Sequence, residues 1–443
     1  MTPEERLALA ERVLARSHAG GTEVTIVANN QALTRFTHES VSQNVDEGDV
    51  SVRVRAIVDG RSGVAATNVL DDAALDAVVA RAAEIAGFAP RESIPPSLAG
   101  PATVASPAGA FVDATAPASP GRRAEIASAV FERARDNQLW SSGYVTTSSG
   151  SITIATSNGA RMAFDGTDAG VNVKMNGSDA TGFAERYSND IGVLDGAAIG
   201  ARAARKAVAS REPVAVDPGE WTVILEPPAI GELLRFLTSH FSAETYSDGS
   251  SFITGKLRTS VLGENVTIFD DYAHRLNPGM PFDFEGVPTQ RLALVKSGVA
   301  ENIVTDSTWA KRLDVPNTGH ALPAPNASGP QSNATVVEAG VKPIEQLIAE
   351  TKRGLLITRL WYVRNVDQRA AILTGMTRDG TFLIEDGKLT RGIRNMRFNE
   401  SIVAALRACE FASVQERTGG YSYSLVTPAV KFDRFRFAST SPY

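Results

Sequence analysis

The 443-residue chain reads as an α+β protein of two domains: an N-terminal one of helix and antiparallel meander layers, and a C-terminal one that is mainly antiparallel β. Three observations predict this. Capped amphipathic helices alternate with period-two segments in the first half. The order helix, meander, helix occurs twice there, which suggests an internal duplication. The second half is dominated by β-branched and aromatic runs, with helices clear only near 228–243 and 342–353. Pro213, Pro218 and Gly219 interrupt the pattern before a strand at 220–225, which places the domains at 1–212 and 213–443.

Thr2-Pro3-Glu4-Glu5 forms a capping box with proline at the first helical position, and Leu7, Ala10, Val13 and Leu14 recur at helical spacing until Gly20-Gly21. Period-two alternation then runs through 23–27 and 51–58, with Asp59-Gly60 as a turn. Asp71-Asp72 cap a helix reaching about Ala86. Residues 87–120 hold seven prolines and form an extended linker or an ordered covering arm. The second unit comprises a helix over 122–137, strands over 140–184 turning at Asn158-Gly159, and a helix over 191–210. Beyond the boundary, strands are predicted at 354–363, 370–373 and 381–385, the last closed by Asp386-Gly387.

Composition excludes whole classes of function. Apolar residues make up 43% of the chain, with 37 Gly and 22 Pro, so the protein is globular. Lys and Arg total 44 against 50 Asp and Glu, a net charge of −6 that gives no global attraction to nucleic acid or an anionic membrane. No window is apolar enough to span a bilayer, and the first residues lack an apolar secretion segment, so the expected compartment is the cytoplasm. The single cysteine, Cys409, permits neither an internal disulfide nor a Cys-Cys zinc motif. No phosphate-binding loop is present, since the nearest stretch, Gly249 to Gly255-Lys256-Leu257, is one residue too long and ends without a hydroxyl. A G-x-S-x-G elbow and H-E-x-x-H are missing as well.

Several stretches together resemble one family. They are 229–234 (Ala229-Ile230-Gly231-Glu232-Leu233-Leu234), 250–257 (Ser250 to Leu257), 266–271 (Val266 to Asp271), 43–49 followed by 52–60, and 374–380 with 384–387. In order and spacing they resemble the TldD/PmbA (TldD/TldE) metallopeptidase family, once called modulators of DNA gyrase, over nearly the whole chain. The resemblance implies a zinc-binding HExxxH helix and a ligand cysteine near the C-terminus in TldD-type members. Aligned on Ser251-Phe252 and Gly255-Lys256-Leu257, that hexapeptide falls on 234–239, so Leu234, Arg235 and Ser239 stand where two His and the catalytic Glu would be. The cysteine's place falls in Arg417-Thr418-Gly419-Gly420-Tyr421. The resemblance therefore implies a PmbA/TldE-type subunit with no catalytic residue and no metal of its own. By the same resemblance, zinc and hydrolysis are expected on a TldD-like HExxxH partner in a heterodimer or higher hetero-oligomer that processes unfolded peptide, for which strand addition is the expected binding mode.

Two alternatives stay open. His240, Glu244 and His274 could form the site of a stand-alone hydrolase, His240 and Glu244 being four residues apart; the plainer reading is a polar helix end. A peptide-binding regulator without proteolysis is the other. Asp270-Asp271 reads as a strand-end turn, Cys409 as a small core residue, and Trp361-Tyr362 as sheet packing.

Overall fold

The computed structural model describes residues 1–419 and 423–441. The first unit contains α1 (Pro3–Leu14), β1 (Gly21–His38), β2 (Ser40–Val58), β3 (Arg61–Thr67) and α2 (Asp72–Phe88). The second repeats the order with α3 (Pro120–Asp136), β4 (Trp140–Thr156), β5 (Arg161–Asn176), β6 (Thr181–Ser188) and α4 (Gly196–Ala209). The capping box at Thr2 and Glu5 and the Asp71 cap both form. The six strands make one antiparallel sheet in the order β3-β2-β1-β4-β5-β6, so the two units meet through β1 and β4 and the strand order is a palindrome.

The duplication holds residue by residue. Val54 pairs with Val24 and Ala65 in the first unit, and Val173 pairs with Gly143 and Ala184 in the second. A Cβ on Gly63 would lie 2.2 Å from the backbone nitrogen of Ala86, and one on Gly182 would lie 2.2 Å from the carbonyl oxygen of Ala203. Each edge strand thus lets its helix approach only because a side chain is missing. Buried Arg6 of α1 donates from Nε to Thr153 on β4, and buried Arg123 of α3 donates from Nε to Thr34 on β1, so each unit clamps the other's central strand.

All four helices lie on one face, over Val24, Ile26, Val52 and Val54 in the first unit and Val145, Val171 and Val173 in the second. The opposite face is partly covered by the Pro-rich segment. It is an ordered arm, with the carbonyls of Ser97, Leu98 and Ala99 accepting from Arg55, Asn158 and Thr156. Val104 packs with Ile154, Met162 and Phe282. The helix expected over 191–210 begins only at Gly196. Asp195 caps it, while residues Ile191–Val193 form a separate 3-10 turn under the Asp190 cap.

The chain then enters β7 (Gly219–Leu225), α5 (Pro227–Thr238), α6 (Ala243–Ser247), β8 (Ile268–Asp270), β9 (Leu292–Lys296), β10 (Val299–Ala300), α7 (Ser307–Leu313), β11 (Thr335–Val337) and α8 (Ile344–Ala349). The remainder is β12 (Arg353–Asp367), β13 (Ile372–Glu385), β14 (Lys388–Gly392), β15 (Met396–Ser401), α9 (Ile402–Ala405), β16 (Cys409–Thr418) and β17 (Leu425–Thr440). β7 pairs with both β12 and β17, so β17-β15-β13-β12-β7 closes into a ring around Phe398, Phe432, Phe435 and Phe437, with α5 packed on it.

Three expectations are corrected. The helix expected over 228–243 stops at Thr238, because Ser242 is extended and starts the short α6. Helices α7 and α9 were not expected; their signals are the caps Asp306 and Ser401, hidden in loop-like sequence. β13 is one strand, not two, and it crosses the positive-φ pair Asp379-Gly380 without breaking.

Candidate functional site

Helix α5 begins at Pro227, which supplies a preset φ at a position needing no amide proton. Its apolar stripe of Ile230, Leu233, Leu234 and Leu237 enters the barrel-side core. Leu234 is 0% exposed. The next residue turns out to the surface: Arg235 donates from Nε to Glu232 Oε2 at 3.1 Å, lies 4.3 Å over the Phe236 ring and 5.5 Å from the Tyr423 ring. Tyr423 in turn donates its hydroxyl to Glu232 Oε1 at 3.1 Å, and burial raises the pKa of that phenol further above its ordinary value. Ser239 uses its hydroxyl locally, donating to the Phe236 carbonyl at 2.7 Å.

Arg235, Thr238 and Ser239 line a cavity of about 270 Å³ closed by Ser332, Asn333 and Tyr423. On its other side Arg235 borders a shallower depression of about 230 Å³ with Glu232, Trp361, Tyr362 and Arg364. The structure also brings the end of β16 to this helix, since a Cβ on Gly231 would lie 2.6 Å from Thr418 Cγ2. Thr418 donates its hydroxyl to half-buried Glu185. Gly420 and Tyr421 lie outside the described residues. Helix and C-terminal strand thus meet as a two-part metal site requires, but the side chains do not fit zinc. Leu234 carries no donor atom, Arg235 has only N–H groups and no lone pair to give, and Ser239 is a neutral hydroxyl. Among the described residues no three His, Cys, Asp or Glu side chains stand close enough to hold a metal ion.

The alternative trio is not assembled. His240 sits in a 3-10 turn, with its ring edge on Phe252 at 5.1 Å and Nδ1 accepting the Phe252 amide at 3.4 Å, and burial pushes its pKa down to about 4. It is therefore a neutral core side chain, not a polar helix end. Glu244 follows the helix break and lines a different cavity. His274 lies in the turn after β8, its Nδ1 accepting the Leu276 amide at 3.4 Å, with burial holding its pKa below the ordinary value.

Cys409 starts β16, at the opposite end of that strand from Thr418, and is half-buried, with burial pushing its thiol up to about 12. Trp361 and Tyr362 do not fill the sheet interior: they are 39% and 62% exposed, packed against Arg359, Arg364 and Arg378.

Sequence reasoning did not reveal three charged groupings that folding brings together. Asp270 stands 3.3 Å from His320 and accepts from Ser332 Oγ and the amides of Asn333 and Ala334. Burial pushes its carboxyl up, but these partners outweigh it and hold it below the ordinary range. Glu23, Arg55 and Glu285 line a cavity of about 530 Å³ at one end of the first sheet. At the other end, Lys174, Arg378, Asp379 and Arg394 line one of about 480 Å³.

Family models place the chain. The PmbA/TldA metallopeptidase C-terminal domain matches residues 218–439, domain 1 matches 22–86 and the central domain matches 115–211. A metalloprotease TldD homolog of Haemophilus influenzae is 28% identical over 201 residues, which is 43% of this chain and 40% of that one. The metalloprotease PmbA of Escherichia coli O157:H7 is 26% identical over 195 residues, again 43% and 40%. The matched stretch thus spans about two fifths of the length of these relatives. Among solved structures, TldE from Thermococcus kodakarensis superposes with a TM-score of 0.87 at 21% identity, covering 98% of this chain and 99% of that one. A Thermotoga maritima protein gives 0.84 at 19% identity, with the same shares covered. With its C-terminal half and both N-terminal units matched in order, this chain belongs to the PmbA/TldD metallopeptidase family.

Proposed function

We propose that this chain is the non-catalytic subunit of a TldD/TldE-type zinc metallopeptidase complex acting on unfolded peptides in the cytoplasm. In this reading residues 1–212 and 213–443 are its two domains. The observation that carries it is the make-up of helix α5 and its C-cap: the positions that the family resemblance assigns to zinc ligands and general base hold a core leucine, an arginine paired to Glu232 and a locally bonded serine. A guanidinium at that place repels a dication and cannot take a proton from water. Hydrolysis and zinc are therefore assigned to an HExxxH-bearing partner.

The test is reconstitution. The chain alone is expected to leave an unfolded peptide intact, and cleavage is expected on mixing with an HExxxH partner, to vanish when the partner's Glu is changed, and to survive His240→Ala here. Cleavage by the purified chain alone, or equal losses from both substitutions, refutes the assignment. A partner that cleaves as well alone as in the mixture refutes it also.

A further inference from the structure

Glu23 and Arg55 are directly paired across β1 and β2. Their neighbours Val24 and Val54 face the helices, so both charged side chains emerge on the opposite face, into the cavity of about 530 Å³. Glu23 is only 4% exposed, and its Oε2 has no hydrogen-bond partner among the described residues. Arg55 approaches that oxygen to 3.3 Å but is divided: Nη1 lies 4.0 Å from Glu285 Oε1, and Nη2 also donates to the Ser97 carbonyl at 2.8 Å. One guanidinium thus stands against two carboxylates, buried Glu23 and half-buried Glu285, a deficit of positive charge in a place where an uncompensated anion is costly.

The remaining wall does not make up the deficit. Glu92, Glu244 and Asp306 add carboxylates, while the cation Arg312 is stacked on Trp309 at 4.4 Å. Ser62, also on this wall, has a hydroxyl without a partner among the described residues. Between these polar groups lie Val64, Ile85 and Phe284, an apolar lining with no use for an inorganic ion. What matches is a point charge with several N–H donors on an aliphatic stem.

The geometry points to a binding site for an alkylammonium ion, carried by a lysine side chain or by a free diamine, with the ammonium between Glu23 and Glu285 and the methylenes along Val64, Ile85 and Phe284. The site is separate from the Arg235 cavity and stands whether or not the chain has a peptidase partner. Glu23 also makes occupancy sensitive to pH. Burial pushes its carboxyl up to about 7, with nearby Glu285 adding to the rise and Arg55 and Arg53 opposing it, so below neutrality a proton competes with the ligand.

Isothermal titration of the full chain tests this with 1,5-diaminopentane and with Nα-acetyl-lysine amide. Saturable one-to-one binding at pH 8 is expected for at least one of them, at least tenfold weaker at pH 6. Nα-acetyl-norleucine amide, with the stem but no charge, should not bind. Glu23→Gln should weaken binding at least tenfold, and Glu285→Gln gives the same reading should the first variant not fold. Tighter binding of the diamine assigns the site to a free amine, and tighter binding of the capped lysine assigns it to a peptide side chain. Binding of neither amine, equal binding of the norleucine compound, or unchanged affinity in a folded Glu23→Gln variant overturns the proposal.

Discussion

His240 shows what burial does to one side chain. Its ring nitrogen accepts a backbone amide and its ring packs edge-on with Phe252, so protonation in place would bury an unpaired charge. With the folded pKa near 4 and the unfolded one near the usual 6.5, the unfolded chain binds the proton first as pH falls. The contribution is therefore complete above about pH 6.5 and declines from there to pH 4, by about 2–3 kcal/mol. His240→Asn keeps an acceptor for the Phe252 amide and removes the titration. Urea denaturation at pH 7 and pH 4.5 should show the variant losing less stability than the parent; equal losses would mean that His240 is not held neutral. Local residue roles such as the Thr2 and Asp71 caps were legible in sequence because each partner lies three residues away. Asp270 with His320, or Glu23 with Glu285, were not, because no local pattern announces a pair closed by folding.

At the scale of elements, α5 shows why a grafted zinc site should fail. Leu234→His, Arg235→Glu and Ser239→His restore the motif's letters, but the first puts an imidazole into the fully buried leucine's place, at a cost of about 3 kcal/mol. The triple variant should show a lowered urea midpoint and no peptide cleavage, and adding Thr418→Cys should raise zinc affinity, since β16 ends beside this helix. No change in affinity would refute the register of helix against strand. The paired glycines give a second expectation. Gly63→Ala and Gly182→Ala each press a methyl into helix backbone, and each should lower stability by about 3 kcal/mol or more, measured by denaturant midpoint. Helix-meander-helix order was readable from periodicity and caps. The barrel closure and the parallel pairs β7 with β12 and β11 with β17 were not, because a strand's sequence specifies its faces but not its neighbour.

For the whole molecule, the two sheets are joined by charges. Glu226, at the start of α5, accepts from Lys206 of α4 at 2.6 Å and lies 3.6 Å from Arg202, which also reaches Glu416 at 3.1 Å. Arg417 pairs with Asp168 and donates to Asn189 at 3.1 Å. Glu226 is buried, which pushes its carboxyl up, yet Lys206 and Arg202 hold it below the ordinary range. Glu226→Ala strands Lys206 in a dry contact and should cost about 3–5 kcal/mol. Fluorescence from Trp140 and Trp221 should then report separate transitions for the two sheets, whereas a single coincident transition at the parent's midpoint would show that the ion network does not join them. Near-neutral composition gave no hint of this seam, because opposite charges cancel in a count wherever they sit.

The duplicated layer has one more consequence. In the matched register, Arg55 and Ser62 of the first unit take the places of Lys174 and Thr181 in the second, and each set opens into a cavity against the C-terminal half. In one socket the carboxylates of Glu23, Glu92, Glu244, Glu285 and Asp306 outnumber Arg55 and Arg312, whereas in the other Lys174, Arg378 and Arg394 outnumber Asp179 and Asp379. The same architectural recess has thus been cut twice and given opposite polarity, by residues that the C-terminal half contributes differently at each end. The symmetric layer provides the mould, and the asymmetric half that covers it decides what each recess can hold.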